Sequence, residues 1–239
     1  MPFVGRKISL AGWNCNKNRI TIMKFFIDTA NLSQIEKAQN MGILDGVTTN
    51  PSLMVKEGVK GTEEIRAHYK KICDIVDGPV SAEVFANDYE GMIAEGEELA
   101  KIDPKITVKL PCTADGIRAV KYFSKKGIAT NCTLVFSVGQ ALLAAKAGAT
   151  FVSPFVGRLD DICEDGIGLV AKIVDMYRYY GYGTEVLAAS IRHTQHIVAC
   201  LEAGADVATC PLSAIEGLLK HPLTDAGLAI FNKAAEGMK

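Results

Sequence analysis

Short runs of apolar and β-branched residues alternate with helix-length segments along nearly the whole sequence, and no other feature limits the possible folds as strongly. There are eight such runs, and each is followed by a segment long enough to form a helix. This order is typical of repeated strand–helix units that build a parallel sheet. The predicted strands are Lys24–Asp28, Gly46–Thr49, Val80–Phe85, Ile106–Leu110, Ala129–Leu134, Phe151–Pro154, Glu185–Ser190 and Val207–Thr209.

The segments between these runs predict helices, several of which end at a glycine that can close a helix in the left-handed conformation. Eight strands, each followed by a helix, are what a closed barrel requires, whereas a doubly wound open sheet typically has fewer strands. We therefore predict an α/β fold, a (β/α)8 TIM barrel with an extra C-terminal helix over Thr224–Gly237. The helices predicted within the barrel are Leu32–Met41, Glu63–Val76, Tyr89–Lys101, Ala114–Lys126, Val138–Ala147, Asp160–Tyr180, Thr194–Ala203 and Ser213–Lys220.

The length of the chain, 239 residues of which 49% are hydrophobic, fits a single barrel domain. We assign the barrel to residues 23–239, where no linker or change in composition marks a second domain. Residues 1–22 contain four basic residues and no acidic one, and the regular pattern begins only at Met23. They are predicted to be a poorly ordered N-terminal extension; a start assigned too early and a transit peptide are alternative explanations.

The balance of charge argues against polyanionic partners. There are 26 Lys and Arg residues against 27 Asp and Glu residues, so no global field would gather nucleic acid or an anionic membrane. No apolar run approaches the roughly 18 residues that a membrane-spanning helix needs. The seven cysteines form no C-x-x-C pair and the four histidines show no metal-binding spacing, which indicates reduced thiols in the cytoplasm and no metal site.

The fourth predicted strand carries a lysine on its inner face. Ile106, Val108 and Leu110 share one face of this strand and would pack against helices, which leaves Thr107 and Lys109 facing the barrel interior. A buried ammonium is costly, so such a lysine is expected to lose its proton readily and act as a nucleophile toward a carbonyl group. From position alone, a structural ion pair or a phosphate-binding role remains an equal alternative.

Further polar residues stand at the ends of the other predicted strands. The C-terminal ends of barrel strands meet at one mouth, so these side chains are expected to converge there. Local roles remain open for each of them: Asp28 could cap a helix, and Asn50 could belong to a turn with Pro51. The convergent residues of the first five strands are Asp28, Asn50, Glu83, Asn131 and Thr133.

Two arginines follow the sixth and seventh predicted strands, and each has a serine nearby. The late loops of barrels frequently form a phosphate site, for which arginine supplies a two-pronged donor. A single arginine on a loop is usually a solvated surface charge. Two arginines, each with a serine nearby, instead favour a site that binds a phosphate group. These residues are Ser153, Arg158, Ser190 and Arg192.

Six short segments of the sequence resemble, in this order, the signatures of the transaldolase family. The resemblance covers essentially all of residues 23–239 and implies a (β/α)8 barrel, in agreement with the strand count. The segments are Phe26–Ala30, Val47–Leu53, Val108–Pro111, Asn131–Ser137, Ser153–Arg158 and Ala189–Arg192.

The resemblance also implies a role for each polar residue at the mouth. Lys109 corresponds to the lysine that forms a Schiff base, and Asp28 to the residue that moves a proton at the cleaved bond. Glu83 and Thr133 correspond to the pair that holds the catalytic water, and neither a cofactor nor a metal is implied. The positions that bind the dihydroxyacetone portion are Asn50, Asn131 and Ser153, and those that bind phosphate are Arg158, Ser190 and Arg192.

The implied reaction transfers a dihydroxyacetone unit from sedoheptulose 7-phosphate to glyceraldehyde 3-phosphate, in the non-oxidative pentose phosphate pathway. Glu83 and Phe155 favour transaldolase, because fructose-6-phosphate aldolases carry Gln and Tyr at these positions. Such an aldolase, and a non-catalytic barrel that only binds a sugar phosphate, remain the alternatives. Compact relatives assemble into rings, so the resemblance implies a homo-oligomer, a pentamer or decamer, with the C-terminal helix available for contacts.

Overall fold

Eight parallel strands form a closed barrel in which each strand pairs with its neighbours in chain order and the last pairs with the first. The structure, a computed structural model, describes residues 22–238, so the prediction for residues 1–22 lies outside the described residues except at Ile22. The predicted barrel is confirmed. Its strands are β1 (Lys24–Asp28), β2 (Gly46–Thr48), β3 (Val80–Glu83), β4 (Ile106–Pro111), β5 (Thr130–Val135), β6 (Phe151–Pro154), β7 (Glu185–Ala188) and β8 (Val207–Cys210).

Helices follow every strand and surround the barrel, as a (β/α)8 fold requires. An additional helix, α11, ends the described part of the chain and agrees with the predicted C-terminal helix. The helices are α1 (Leu32–Asn40), α2 (Pro51–Lys56), α3 (Thr62–Ile75), α4 (Tyr89–Ala100), α5 (Ala114–Lys125), α6 (Val138–Ala147), α7 (Val156–Asp160), α8 (Gly166–Tyr180), α9 (Thr194–Glu202), α10 (Leu212–Gly217) and α11 (Pro222–Glu236).

The region after β6 differs from the prediction of one helix over Asp160–Tyr180. The helix α7 ends at Asp160, and α8 begins only at Gly166. Between them Cys163 adopts a left-handed conformation with φ 61°, and the Asp165 side chain accepts a hydrogen bond from the Gly168 N–H at 2.7 Å. An aspartate at this position caps a new helix, so the break has a local chemical cause.

The short helix α2 differs from the turn that Asn50 and Pro51 suggest in the sequence. The Asn50 Oδ1 accepts a hydrogen bond from the Leu53 N–H at 3.0 Å, and Pro51 occupies the first helical turn. Both residues are favourable at a helix start. The segment after β2 is therefore held in a fixed geometry, and Asn50 is fixed with it.

The barrel interior contains an apolar cluster below the C-terminal ends of the strands and polar groups at those ends. Phe26 and Phe151 belong to a buried cluster, with their ring centroids 5.8 Å apart in an edge-to-face contact. Two residues further along the same strands, the inward positions are Asp28 and Ser153. The apolar residues form a floor, and the polar residues stand above it at the C-terminal ends of the strands. The floor consists of Phe26, Phe151, Leu187, Ala189 and Val207.

A second, larger core lies between the barrel and the surrounding helices, and includes the outward side chains Val108, Leu110 and Val152. In contrast, no residue of α11 is buried. No helix within residues 22–238 is both long and apolar enough to cross a membrane.

Candidate active site

A pocket opens at the C-terminal ends of the strands, above the apolar floor. Eight of the eleven side chains that the sequence assigned to a site line this pocket, while Glu83, Asn131 and Arg192 do not. The remaining lining residues are Thr48, Ala189 and Thr209. The eight predicted residues are Asp28, Asn50, Lys109, Thr133, Ser153, Phe155, Arg158 and Ser190.

The Lys109 side chain points into this pocket and is only 6% exposed. Its Nζ lies 3.1 Å from the Glu83 Oε2 and donates a hydrogen bond to the Thr49 carbonyl oxygen at 2.9 Å. The pairing of β3 with β4 sets Glu83 directly beside Lys109 in register. Glu83 is therefore placed behind the amine, as its ion-pair partner, and not on the pocket surface.

A chain of hydroxyl groups supports Asp28. The Thr48 Oγ1 donates to the Asp28 Oδ1 at 2.8 Å and lies 2.5 Å from the Thr209 Oγ1. Because the single hydroxyl proton of Thr48 is given to the carboxylate, Thr209 must be the donor to Thr48. Burial raises the pKa of Asp28 above its ordinary value, although Lys109 and the Thr48 hydrogen bond act in the opposite direction.

Thr48 and Thr209 were not assigned to the site from the sequence. A signal was present: Thr48 is the last residue of β2 and Thr209 the last but one of β8, so both stand near the C-terminal ends of strands, as Asp28 does. Thr133 was the only threonine that the sequence interpretation assigned to the site, because threonine is frequent in strands for reasons unrelated to function.

The opposite wall of the pocket contains a second hydrogen-bonded group. The Ser153 Oγ donates to the Asn131 Oδ1 at 2.7 Å, and the Asn131 Nδ2 donates to the Ser81 Oγ at 3.1 Å. Asn131 is fully buried behind Ser153. Nearby, the Thr133 hydroxyl lines the pocket, is buried, and has no hydrogen-bond partner among the described residues. Such a group needs a ligand or a water molecule to satisfy it.

The Phe155 ring lines the pocket near Arg158. The rings of Phe155 and Phe136 have centroids 5.5 Å apart, and the guanidinium carbon of Arg158 lies 5.1 Å from the Phe155 centroid. Ser190 has a left-handed backbone with φ 60° at the pocket edge. Non-glycine residues in this conformation are uncommon and concentrate at functional sites.

Arg192 is separated from the other phosphate-site candidates. Its Nη2 donates to the Asp161 Oδ2 at 2.6 Å, on the exposed surface beside α7. The structure therefore brings Arg158, Ser153 and Ser190 together at the pocket and leaves Arg192 beside it.

Comparison with known proteins agrees with this geometry. A family model described as Transaldolase/Fructose-6-phosphate aldolase matches residues 25–238. Proteins named "probable transaldolase" match 209 residues, or 87% of this chain: that of Bacteroides thetaiotaomicron is 75% identical with 96% of its length covered. Those of Porphyromonas gingivalis and Cytophaga hutchinsonii are 74% and 71% identical, with 95% and 96% covered. A barrel with an inward lysine beside a carboxylate, together with the family-model match over residues 25–238, shows that the chain belongs to the transaldolase/fructose-6-phosphate aldolase family.

Proposed function

We propose that the protein is a transaldolase, which moves a dihydroxyacetone unit between sugar phosphates through a Schiff base on Lys109. The observation that carries this proposal is the buried amine of Lys109, which opens on the same pocket as Asp28 and has Glu83 3.1 Å behind it. A sugar-binding protein without catalysis would have no need to bury an amine beside two carboxylates. The similarity to proteins named "probable transaldolase" supports the same function.

In the first step, the neutral amine of Lys109 attacks the ketone carbon of a ketose phosphate. The Glu83 carboxylate is placed to accept a proton from Nζ, which frees the amine for attack. Loss of water from the adduct then gives an iminium. Thr133, whose buried hydroxyl has no partner within residues 22–238, is our candidate to hold that water together with Glu83.

The iminium withdraws electrons, so the bond between C3 and C4 can break. Asp28 takes the proton of the C4 hydroxyl as the aldose leaves, and the three-carbon fragment remains on Lys109 as an enamine. The raised pKa of Asp28 suits this role, since a carboxylate with a higher proton affinity is a stronger base. Addition of the enamine to an acceptor aldose and hydrolysis of the Schiff base complete the transfer.

Substrate binding is assigned to the remaining polar residues. Asn50 and Ser153 line the pocket and would contact the hydroxyl groups of the dihydroxyacetone portion, with Asn131 orienting Ser153 from behind. Arg158, Ser190 and Arg192 would hold the phosphate. Phe155 forms an apolar wall that keeps water from the enamine, which favours transfer over release of the fragment.

A borohydride trap tests the Schiff base. Reduction in the presence of fructose 6-phosphate should leave a three-carbon adduct on Lys109, identified by peptide mass spectrometry, and the Lys109→Met variant should carry none. An adduct on another lysine, or no adduct, would refute the assignment. Parallel assays with and without glyceraldehyde 3-phosphate or erythrose 4-phosphate separate the functions: a transaldolase needs the acceptor, whereas an aldolase releases free dihydroxyacetone without it.

We also propose that the protein is a cytoplasmic homo-oligomer in which α11 contacts a second copy of the chain. All six cysteines within residues 22–238 are free thiols, which supports a reducing compartment. In α11, Leu223 is 75% and Phe231 70% exposed, and an isolated helix of 15 residues is only marginally stable in water. A ring of five or ten subunits would give each copy of α11 a partner surface.

A further inference from the structure

The guanidinium of Arg192 is held beside the pocket by a carboxylate. The Arg192 Nη2 donates to the Asp161 Oδ2 at 2.6 Å, while Arg158 and Ser190 line the pocket without it. Both members of the pair are about half exposed, with side-chain exposures of 49% and 56%. An ion pair this accessible to water contributes little net free energy, so another anion can replace the carboxylate.

The path of the Arg192 side chain places this pair close to the pocket edge. A Cβ atom built on Gly157 would lie 2.8 Å from the Arg192 Nε, so the side chain crosses the Gly157 backbone directly. The Gly157 N–H in turn donates to the carbonyl oxygen of Ser190, a pocket residue, at 3.1 Å. The Arg192 side chain and the pocket residue Ser190 therefore both lie against Gly157.

The neighbouring carboxylate is engaged elsewhere. Asp160 lies 3.0 Å from the His196 Nε2, and its other oxygen accepts a hydrogen bond from the Gly166 N–H at 3.3 Å. The Arg192 N–H donates to the His196 Nδ1 at 3.3 Å, so the backbone at Arg192 is fixed while its guanidinium is paired separately. Asp161 is thus the carboxylate that determines where this guanidinium lies.

We propose that Asp161 is a specificity-determining residue that competes with the substrate phosphate for Arg192. In the free protein Asp161 keeps Arg192 out of the pocket, and a phosphate group, which carries more charge and accepts a two-pronged hydrogen bond, takes its place. A substrate without phosphate cannot draw Arg192 inward. This inference rests on the proposed function for the identity of the phosphorylated substrate, although phosphate binding can be measured independently of turnover.

The Asp161→Asn variant tests the competition. Removing the competing charge should tighten the binding of inorganic phosphate and of fructose 6-phosphate by about two- to fivefold, as expected for one exposed ion pair. The dissociation constants are measured by isothermal titration calorimetry. The binding of dihydroxyacetone, which has no phosphate, should be unchanged. The matched control is Asp74→Asn, which removes the same charge from an exposed ion pair with Lys70 on α3 and should alter none of the three constants.

A double-mutant cycle with Arg192→Gln shows whether Asp161 acts through Arg192. In the Arg192→Gln background, the Asp161→Asn substitution should no longer tighten phosphate binding. An unchanged or weaker phosphate affinity in Asp161→Asn alone, or a gain that persists without Arg192, overturns the competition. A wild-type protein that binds no phosphate also overturns it.

The outcome is distinguishable from failure of the proposed function. If no borohydride adduct forms but phosphate binds more tightly to Asp161→Asn, the transaldolase function is refuted and the competition for Arg192 is supported. If the protein transfers the three-carbon unit but Asp161→Asn leaves the phosphate affinity unchanged, the function is supported and the competition for Arg192 is refuted.

Discussion

Lys109 and Asp28 lie in one pocket but in different chemical surroundings. The amine has a carboxylate, Glu83, at 3.1 Å and a carbonyl oxygen at 2.9 Å. The hydrogen-bond partner of Asp28 is the hydroxyl of Thr48, and burial outweighs the favourable influence of Lys109 so that the pKa of Asp28 is raised. In the proposed reaction the two groups act in separate steps, Lys109 in attack on the carbonyl and Asp28 in cleavage of the carbon–carbon bond.

Replacing the Asp28 carboxylate separates these two steps. The Asp28→Asn variant should form the Schiff base at Lys109, because its amine and Glu83 are untouched, but lose about 10²-fold or more of the transfer rate. Borohydride trapping reports the first step and a coupled transfer assay the second. Loss of the trapped adduct in the variant would assign Asp28 to Schiff-base formation instead.

The same substitution has a predicted effect on stability. Because the pKa of Asp28 is raised on folding, the ionised carboxylate destabilises the native state at neutral pH, and this cost disappears as the pH falls through the raised pKa. Asp28→Asn should therefore be more stable than the wild type near neutral pH, and the gain should vanish in acid. Melting temperatures measured across this pH range check the sign. A variant less stable at neutral pH would show that the Thr48 hydrogen bond outweighs the burial cost.

The inward side chains could largely be predicted from the sequence, because alternation along a strand decides which face a residue occupies. Together with the apolar face that packs against helices, that rule assigns Lys109 to the barrel interior, while Asp28 was predicted from its position at the end of a strand. It could not predict the Thr48–Thr209 contact, since the two residues lie on strands that flank β1 on opposite sides. Their distance depends on the stagger of the strands around the barrel, which residue spacing does not specify.

The strands were easier to predict than the segments that connect them. β6 and β1 have the predicted bounds, because apolar runs mark them clearly. The division between α7 and α8 was missed, because the apolar pattern of a helix can continue across a break that one capping aspartate creates. Arg158 lies in α7, and Asp161 follows directly after that helix. The connection that was not predicted is therefore close to the proposed phosphate site.

The packing of β1 against β2 depends on a glycine. A Cβ atom at Gly46 would lie 2.7 Å from the Phe26 ring and 2.7 Å from the Pro79 carbonyl oxygen, and the ring is fully buried in the floor. Gly46→Ala should therefore lower the free energy of unfolding by about 1–3 kcal/mol, measured by urea denaturation.

The control for this prediction is Gly139→Ala in α6, where the nearest atom to an added Cβ is 3.9 Å away. It should leave stability equal or higher, because alanine favours a helix more than glycine does. Equal stability of Gly46→Ala and the wild type would show that the floor can move to accept the methyl group.

Helix α11 has no buried residue, so the packing of a single chain does not account for it. Its apolar side chains are exposed, and they include Leu223, Leu228, Ile230 and Phe231. The Phe231→Glu variant should dissociate the proposed oligomer or reduce its order, measured by sedimentation equilibrium. Asn232→Glu adds the same charge at the next residue of the same exposed helix and should retain the assembly. A wild-type protein that sediments as a monomer would contradict the proposal.

The buried apolar floor closes the pocket from below. Phe26 and Phe151 are buried in the barrel interior below the pocket, which opens at the C-terminal ends of the strands. In the proposed reaction, the aldose released by cleavage and the aldose that accepts the fragment pass through the same pocket opening. The two aldoses therefore bind near Lys109 one after the other. When the acceptor aldose binds, the three-carbon unit held covalently on Lys109 is all that remains of the donor.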